Sequence, residues 1–480
     1  MYKIVMVVIY FGFLIGVGLY FSKRAQTNAD NFILAGRSAP LWVVVGSVFA
    51  TWVNSASLMG YAGTGFGVGI AGYWPVAGFL FTCIWMGFFV IPKLREAEVS
   101  TIPEVFGKFY GKQHRLTATV LVMCRDLAVT AGVIIGMATI FQSLFPQLSL
   151  DAAIVITIGV TLLVTITGGS WSVLYTDAIQ SVFIIVGTVV LLPIAVSKMG
   201  GWEAFTIAIP ETHTMVMNAG PRQTIGWVLN GIFVTLAYQT IVQRGLSASS
   251  TDHAKKALVY GGVVCSFWYV IPFVLGIAAL VLFPGSRADQ AYLNITGLLG
   301  PIPQAFFAIV LLSACVTTID SCILTISSNI TLDIYKPFIN PNADDKILVR
   351  VSQIGTLVII VLASLIARAF PYILELLWLG GRIMASGLSP VWMAIIFWPR
   401  SRHAPKSTLA AMITGAVVTV TTQILQNQAV AAAAGAGATT FIYSWDPVII
   451  GLPVTFAILI IGTLIETKNI KTSLEENVAS

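Results

Sequence analysis

Five hydroxyl-bearing residues, Thr317, Thr318, Ser321, Thr325 and Ser328, recur at steps of three and four inside one apolar run, with a carboxylate, Asp320, beside them. Those steps put side chains on one face of a helix, so the hydroxyls form a polar stripe. In a membrane such a stripe either bonds helices together, each hydroxyl tied back to the preceding turn, or offers oxygens to a ligand. Asp320 favours the ligand, because a carboxylate within a span costs several kcal/mol unless it meets a partner or a cation.

A second stretch has the same character. Between Gly46 and Gly60 the chain places Asn54, Ser55 and Ser57 near the middle of an apolar run, and glycines follow at 63, 65, 67 and 69. This is a poor continuous helix. Irregular backbone at membrane depth survives only where it lines protein or a cavity, and there its freed carbonyls can coordinate a cation. Close helix packing is the other reading, since Gly63 with Gly67 and Gly65 with Gly69 both make G-x-x-x-G.

Lipid is the solvent for the elements that carry these residues. The 480-residue chain is 57% hydrophobic and 10% charged, with a mean hydropathy of +0.89, whereas soluble domains carry about 25% charged residues. Runs such as Ile4–Phe21, Val173–Val196 and Ala257–Phe283 reach the roughly 20 residues that cross a bilayer as a helix. The expected fold is an all-α polytopic membrane protein, one integral membrane domain over residues 1–480 with about thirteen transmembrane helices. Nineteen of the 26 basic residues, Arg244 among them, then fall in loops on one side. Lys3, Lys198, Arg222, Arg287 and Arg368 fall on the other, and Arg125 and Arg382 lie within spans. The positive-inside rule places the N-terminus outside and the C-terminus in the cytoplasm of a plasma (inner) membrane. A short interfacial helix is expected around Trp202–Ile209, and Ala429–Ala438 reads as a flexible outer loop.

Several chemistries lack support. Gly67-Val-Gly69-Ile-Ala-Gly72 matches G-x-G-x-x-G but follows an apolar helix rather than a strand, which removes the nucleotide reading. The four histidines lie in loops without ligand spacing, and the five cysteines lie in apolar runs, where they act as small hydrophobes. Basic residues scattered over short loops give no nucleic-acid surface, and no Walker lysine motif supports ATP-driven pumping.

The stretch Ser313-Ala-Cys-Val-Thr-Thr-Ile-Asp-Ser-Cys-Ile-Leu-Thr-Ile-Ser-Ser-Asn-Ile-Thr-Leu-Asp-Ile-Tyr-Lys336 resembles the ion-binding helix of the sodium:solute symporter family, whose members include proline, sugar, sialic-acid and choline transporters. Ser100-Thr-Ile-Pro-Glu-Val-Phe, Gly168-Gly-Ser-Trp-Ser-Val-Leu-Tyr-Thr-Asp-Ala-Ile-Gln180 and Gln239-Thr-Ile-Val-Gln-Arg244 agree with it. The resemblance implies a leucine-transporter-like core of inverted five-helix repeats after one extra N-terminal helix. Here these are Ile4–Phe21, then Leu41–Val196 and Thr224–Phe397, each repeat opening with a broken helix, and then two C-terminal helices over Ser407–Ile465. It implies Na⁺ as the coupling ion, held by carbonyls of Ala50, Val53 and Ala314 and the hydroxyls of Thr317 and Thr318. Neutral oxygens of this kind bind a hard cation loosely enough to release it. A second cation site is implied at Asp177, Thr317, Asp320 and Ser321, with Asp320 standing where family members carry a hydroxyl.

The expected function is Na⁺-coupled import of a small organic solute by alternating access, with no catalytic residues. By position the solute would meet Trp52, Asn54, Ser57 and Tyr238. Arg125 and Arg382, expensive within spans, would face partners or a cavity. Asp126 is next to Arg125 but points elsewhere on a helix, so a partner is expected from another span. An amino acid or other carboxylate would use an arginine fork. A choline-like quaternary amine would use cation–π contacts from Trp52 and Tyr238. Proton coupling is the rival to Na⁺, because intramembrane carboxylates can relay protons. The oligomeric state is not legible.

Overall fold

The computed structural model describes residues 2–54, 56–369, 373–426 and 445–468. The Ala429–Ala438 segment therefore lies outside the described residues. Within them the chain is helical throughout, as a lipid environment demands: a helix satisfies its own backbone donors and acceptors, which lipid cannot.

Helix α1 (Tyr2–Ala25) lies at the periphery, with only Phe11, Leu14, Gly18 and Ala25 buried. Helices α2 (Leu41–Trp52) and α3 (Tyr61–Val68) are the two halves of an interrupted segment. They are followed by α4 (Lys112–Leu144) and α5 (Leu150–Ser197). The two spans expected on either side of residue 170 meet at a sharp kink at Gly169, φ +50°. A Cβ there would sit 2.7 Å from Phe32 O, so glycine is the residue that fits.

A second interruption separates α6 (Pro221–Leu236) from α7 (Gln239–Ser247), with a bend of 42°. Then come α8 (Thr251–Trp268), α9 (Val270–Leu282) and α10 (Pro301–Asn329). Further along are α11 (Asp345–Ala369), α12 (Ile373–Ile383), which continues toward Ser389–Phe397, α13 (Pro405–Leu425) and α14 (Pro447–Glu466). The interfacial helix is present as Trp202–Ala208.

Ten helices among the described residues are long and apolar enough to cross a membrane, or up to eleven when the bent pair α6–α7 counts as one span. The thirteen spans expected include segments that are divided or joined at breaks. Helix α2 and the stretch Leu150–Leu163 are each short by themselves, and Ser57–Glu96, at 40 residues, is about twice the length that one crossing needs.

Burial sorts the helices by role. The most apolar window of α1 is 17% buried and that of α10 is 94% buried. Helix α10 is thus a central pillar enclosed by protein, and its polar stripe cannot be a lipid-exposed accident. The glycines after residue 60 serve close packing at specific points. A Cβ on Gly65 would run into Phe273 O, and one on Gly276 into Ala62 O, so α3 and α9 touch backbone to backbone. Gly67 has open space around it. Substituting Gly276 with Ala should force α3 and α9 apart and destabilise by about 1–3 kcal/mol, the usual scale of overpacking. Thermal unfolding of the detergent-solubilised protein checks this: Gly276→Ala lowers the midpoint, and Gly67→Ala leaves it unchanged within a degree or so.

Candidate functional site

The break after Trp52 is built by two side chains. Ser57 Oγ accepts from the backbone N–H of Asn54 at 2.8 Å and donates to Asn54 O at 2.7 Å, while Asn54 Oδ1 accepts from the N–H of Ser57 at 2.8 Å. In an uninterrupted helix the N–H of residue 54 would bond the carbonyl of residue 50, and that of residue 57 the carbonyl of residue 53. The Asn54–Ser57 pair takes both donors. It therefore releases the carbonyls of Ala50 and Val53, the two that the resemblance assigns to the cation. Val53 itself is extended (φ −95°, ψ 106°), and the hydroxyl of Tyr269 covers the neighbouring Trp52 O at 2.7 Å.

Helix α10 meets these freed carbonyls. Thr317 Oγ1 lies 3.1 Å from Ala50 O and 3.2 Å from Ala314 O, so three of the expected ligand oxygens form one cluster across α2 and α10. Thr318 Oγ1 is buried without a hydrogen-bond partner. Ala50, Val53, Ala314, Thr317 and Thr318 are all fully buried. A hydroxyl against released carbonyls, all uncharged, is a donor set suited to a hard monovalent cation and unsuited to a soft one.

Asp320, one turn further along α10, and Asp177 on α5 have a different arrangement from the one expected. Asp177 Oδ2 accepts from Ser47 Oγ at 2.6 Å and pairs with Arg244 Nη2 at 3.4 Å. Arg244 also donates to Ser321 Oγ and, through Nε, to Thr51 Oγ1 at 3.4 Å. Its guanidinium thus stands against Asp177 and Ser321, where a second metal cation was expected. Counting Arg244 as a cytoplasmic loop cation is corrected: it is 0% exposed. The signal was available in the sequence, since Gln239, Thr240, Gln243 and Arg244 repeat at helical spacing, but a polar helix reads as a loop until its burial is known. Asp320 lies apart from Arg244's direct contacts and meets Thr165 on α5. Thr165 Oγ1 is 2.9 Å from Thr161 O and 2.6 Å from Asp320 Oδ1. A hydroxyl has one proton. The Thr165 hydroxyl donates to Asp320 Oδ1, the shorter of its two contacts.

On the other side of the Asn54–Ser57 break lies a cavity of about 130 Å³ whose lining includes Trp52, Asn54, Ser57, Arg125 and Asn230. Arg125 has two partners. Its Nη1 pairs with Asp126 Oδ1 at 2.5 Å, and its plane lies 3.6 Å from the ring centre of Tyr238. The Asp126 contact corrects the expectation that neighbours on a helix could not meet: the long arginine side chain reaches back to the adjacent carboxylate. Arg125 Nε, Trp52 Nε1 and Asn230 Oδ1 are buried without partners. Tyr238 does not line the cavity but underlies it, 4.6 Å from Trp52. Arg382 does not line it either. Its fork is filled by Asp446, at 3.2 and 2.7 Å, with Gln423 at 2.5 Å. Asn230 and Tyr269 were not singled out from the sequence, because a lone Asn or Tyr in an apolar run carries no spacing signal.

The role of Arg244 can be tested directly. Arg244→Gln leaves Asp177 buried and unpaired, a loss worth roughly 3–5 kcal/mol. The variant should unfold at a lower temperature than the unaltered protein in KCl. It should regain more of that loss in NaCl than the unaltered protein gains, because a metal cation can then stand beside Asp177. Thermal midpoints in the two salts check this.

A model of the sodium:solute symporter family matches residues 32–415. The chain is 27% identical over 460 residues to a sodium/glucose cotransporter of Vibrio parahaemolyticus, a match covering 86% of this chain and 82% of that protein. It is also 27% identical over 485 residues to sodium/glucose cotransporter 4 of Danio rerio, covering 88% and 72%. A solved structure of a substrate-bound, outward-open Na⁺-coupled sialic acid symporter superposes with a TM-score of 0.80 over 97% of each chain, at 20% identity. A nucleobase-cation-symport-1 family transporter gives 0.58 at 13% identity, over 92% of this chain and 96% of that one. These two structures speak for the fold. The family match begins before the first interrupted helix and ends within α13, enclosing both breaks and the whole of α10, and so the chain belongs to the sodium:solute symporter family of Na⁺-coupled solute symporters.

Proposed function

We propose that the chain carries a small carboxylate-bearing solute, such as an amino acid or short organic acid, across the membrane with one Na⁺ per solute. The observation that carries this reading is Arg125 Nε, a buried donor on a cationic group that lines the cavity and has no partner. A carboxylate meeting it would complete a charge-assisted contact and remove the cost of the orphaned donor. The cavity, at about 130 Å³, is well below the roughly 300 Å³ at which pockets for drug-sized ligands begin, which favours a compact solute. Trp52 Nε1 and Asn230 Oδ1 supply one further donor and one acceptor.

The quaternary-amine reading is weaker. The face of Tyr238 that would receive such a cation is covered by Arg125 at 3.6 Å, and a second fixed cation beside a guanidinium is repelled. Relatives that are sodium/glucose cotransporters support a hydroxyl-rich solute as a second reading, and Asn230 is the group that would recognise it.

Coupling rests on the α2–α10 cluster, with Na⁺ held by Ala50 O, Val53 O, Ala314 O and the hydroxyls of Thr317 and Thr318. When bound, Na⁺ joins the two helices, so its arrival and departure bias which side of the protein is open. At the acidic cluster, Arg244 already compensates Asp177, and Asp320 is held by the Thr165 hydroxyl. A second Na⁺ shared by Asp177 and Asp320 is therefore not part of this reading.

Uptake into proteoliposomes tests both parts, with Na⁺ and proton gradients imposed separately over amino acids, short organic acids, sugars and quaternary amines. A carboxylate-bearing solute should accumulate with the Na⁺ gradient. Arg125→Lys should raise its half-saturating concentration about tenfold, since an ammonium cannot reproduce the planar fork. Accumulation of only sugars or quaternary amines would overturn the solute class, and accumulation driven by the proton gradient alone would overturn the coupling ion. In a separate measurement, Thr318→Ala should weaken Na⁺ activation of uptake; an unaltered Na⁺ dependence would remove Thr318 from the site.

A further inference from the structure

Away from the solute cavity, two apolar grooves run along the membrane-facing side of α5. One lies between α1 and α5, is lined by Phe13, Gly16, Val17, Phe21, Tyr175 and Ile179, and has a volume of about 600 Å³. The other lies between α2, α5 and α8, is bounded by Trp42, Val45, Ile179, Val182 and Tyr260, and has about 800 Å³. They share Ile179 as a common wall and are divided by Trp42 and Tyr175, whose rings meet edge to face at 5.9 Å.

One end of the first groove is charged. Arg24 lines it, with its guanidinium 3.7 Å from the ring centre of Trp171 and 3.5 Å from Ser38 Oγ. Among the described residues no carboxylate pairs with Arg24. Lys23 beside it is exposed. This is the end that the distribution of basic residues assigns to the cytoplasm. From Arg24 to Phe13 the helix advances about 16 Å at 1.5 Å per residue. That is close to half of a ~30 Å hydrocarbon core, the depth of one leaflet. The groove is kept open by Gly16, where an added Cβ would meet nothing within 4 Å. A glycine within a helix costs stability relative to Ala, and here no close-packed neighbour requires it.

We propose that these paired grooves bind one anionic phospholipid of the cytoplasmic leaflet, its two acyl chains lying on either side of Ile179 and its phosphate held by Arg24. The occupant follows from charge complementarity, from a depth of one leaflet and from two apolar channels that share Ile179, one of them ending at a cation. Its position has a consequence for the ion cluster. Gly46 and Ala178, which line the second groove, flank Ser47 and Asp177, whose hydrogen bond ties α2 to α5. The lipid would therefore brace the seam between the helix that supplies the cation's carbonyls and the helix that holds the buried acid.

Native mass spectrometry of the full chain, exchanged into detergent with equal phosphatidylglycerol and phosphatidylcholine, tests the site. The unaltered protein should retain one phosphatidylglycerol in preference to phosphatidylcholine. Gly16→Leu, whose side chain enters open space, should lower retention of either lipid about tenfold while the protein stays monodisperse. Arg24→Gln should keep lipid retention but reduce the preference for phosphatidylglycerol about fivefold, the factor that corresponds to roughly 1 kcal/mol per basic residue at an anionic surface. Equal retention of both lipids by the unaltered protein would overturn the proposal. So would identical lipid retention in Gly16→Leu, or recovery of a bound polypeptide with no phospholipid.

Discussion

The reciprocal hydrogen bonds between Asn54 and Ser57 are the constraint on which the rest of the site depends. They consume the two backbone donors that would otherwise close the helix onto Ala50 and Val53. Two carbonyls are thereby exposed at the bilayer's depth without an unsatisfied N–H in exchange. Lipid would not tolerate that arrangement. It is tolerated here because α10, the most enclosed helix, presents Thr317 to one of the carbonyls. The same break faces the solute cavity on its other side, since Asn54 and Ser57 both line it. In the proposed reading, ion and solute are separated by a single turn of irregular backbone, and a ligand on either side bears on the same two side chains.

The buried charges follow a second economy. Arg125 and Arg244 are buried and Arg382 is partly so, and each of the three is met by an acid: Arg125 by Asp126, Arg244 by Asp177 and Arg382 by Asp446. Of the three, Arg125 combines a cavity-lining position with a donor left unpaired. Arg244 acts as a fixed internal cation at a place where a mobile one could bind. A permanent charge there holds α7 against α5 and α10 without an ion.

Much of this was legible in the residue string. The hydropathy and the 3.6-residue period of Thr317, Thr318, Ser321, Thr325 and Ser328 gave a buried polar helix, and α10 is that helix. The polar and glycine-rich stretch after Gly46 gave an interrupted segment, and the chain does break at Asn54. What could not be read was pairing across space. Arg244 looked like a loop cation because α7 is polar, and only its enclosure by α2, α5 and α10 reveals a buried counter-ion. Arg125 and Arg382 looked equivalent from their apolar surroundings, yet Asp446, 64 residues beyond Arg382, fills the latter's fork. Where each span begins and ends was harder to read for a related reason: a break at Trp52 or a kink at Gly169 alters helix length by backbone geometry, to which hydropathy is blind.

The dependence of the cation site on the Asn54–Ser57 pair is tested most directly by titrating Na⁺ onto the purified protein in the absence of solute, so that the cavity-facing role of these residues does not enter. In Ser57→Ala the N–H of Asn54 is free to bond Ala50 O and withdraw it from the ion, whereas Ser57→Thr keeps the hydroxyl. Calorimetric titration should give a Na⁺ dissociation constant raised about tenfold in Ser57→Ala, the equivalent of one lost hydrogen-bonding group, and within about twofold of the unaltered value in Ser57→Thr. The same Na⁺ affinity in Ser57→Ala as in the unaltered protein would contradict the account.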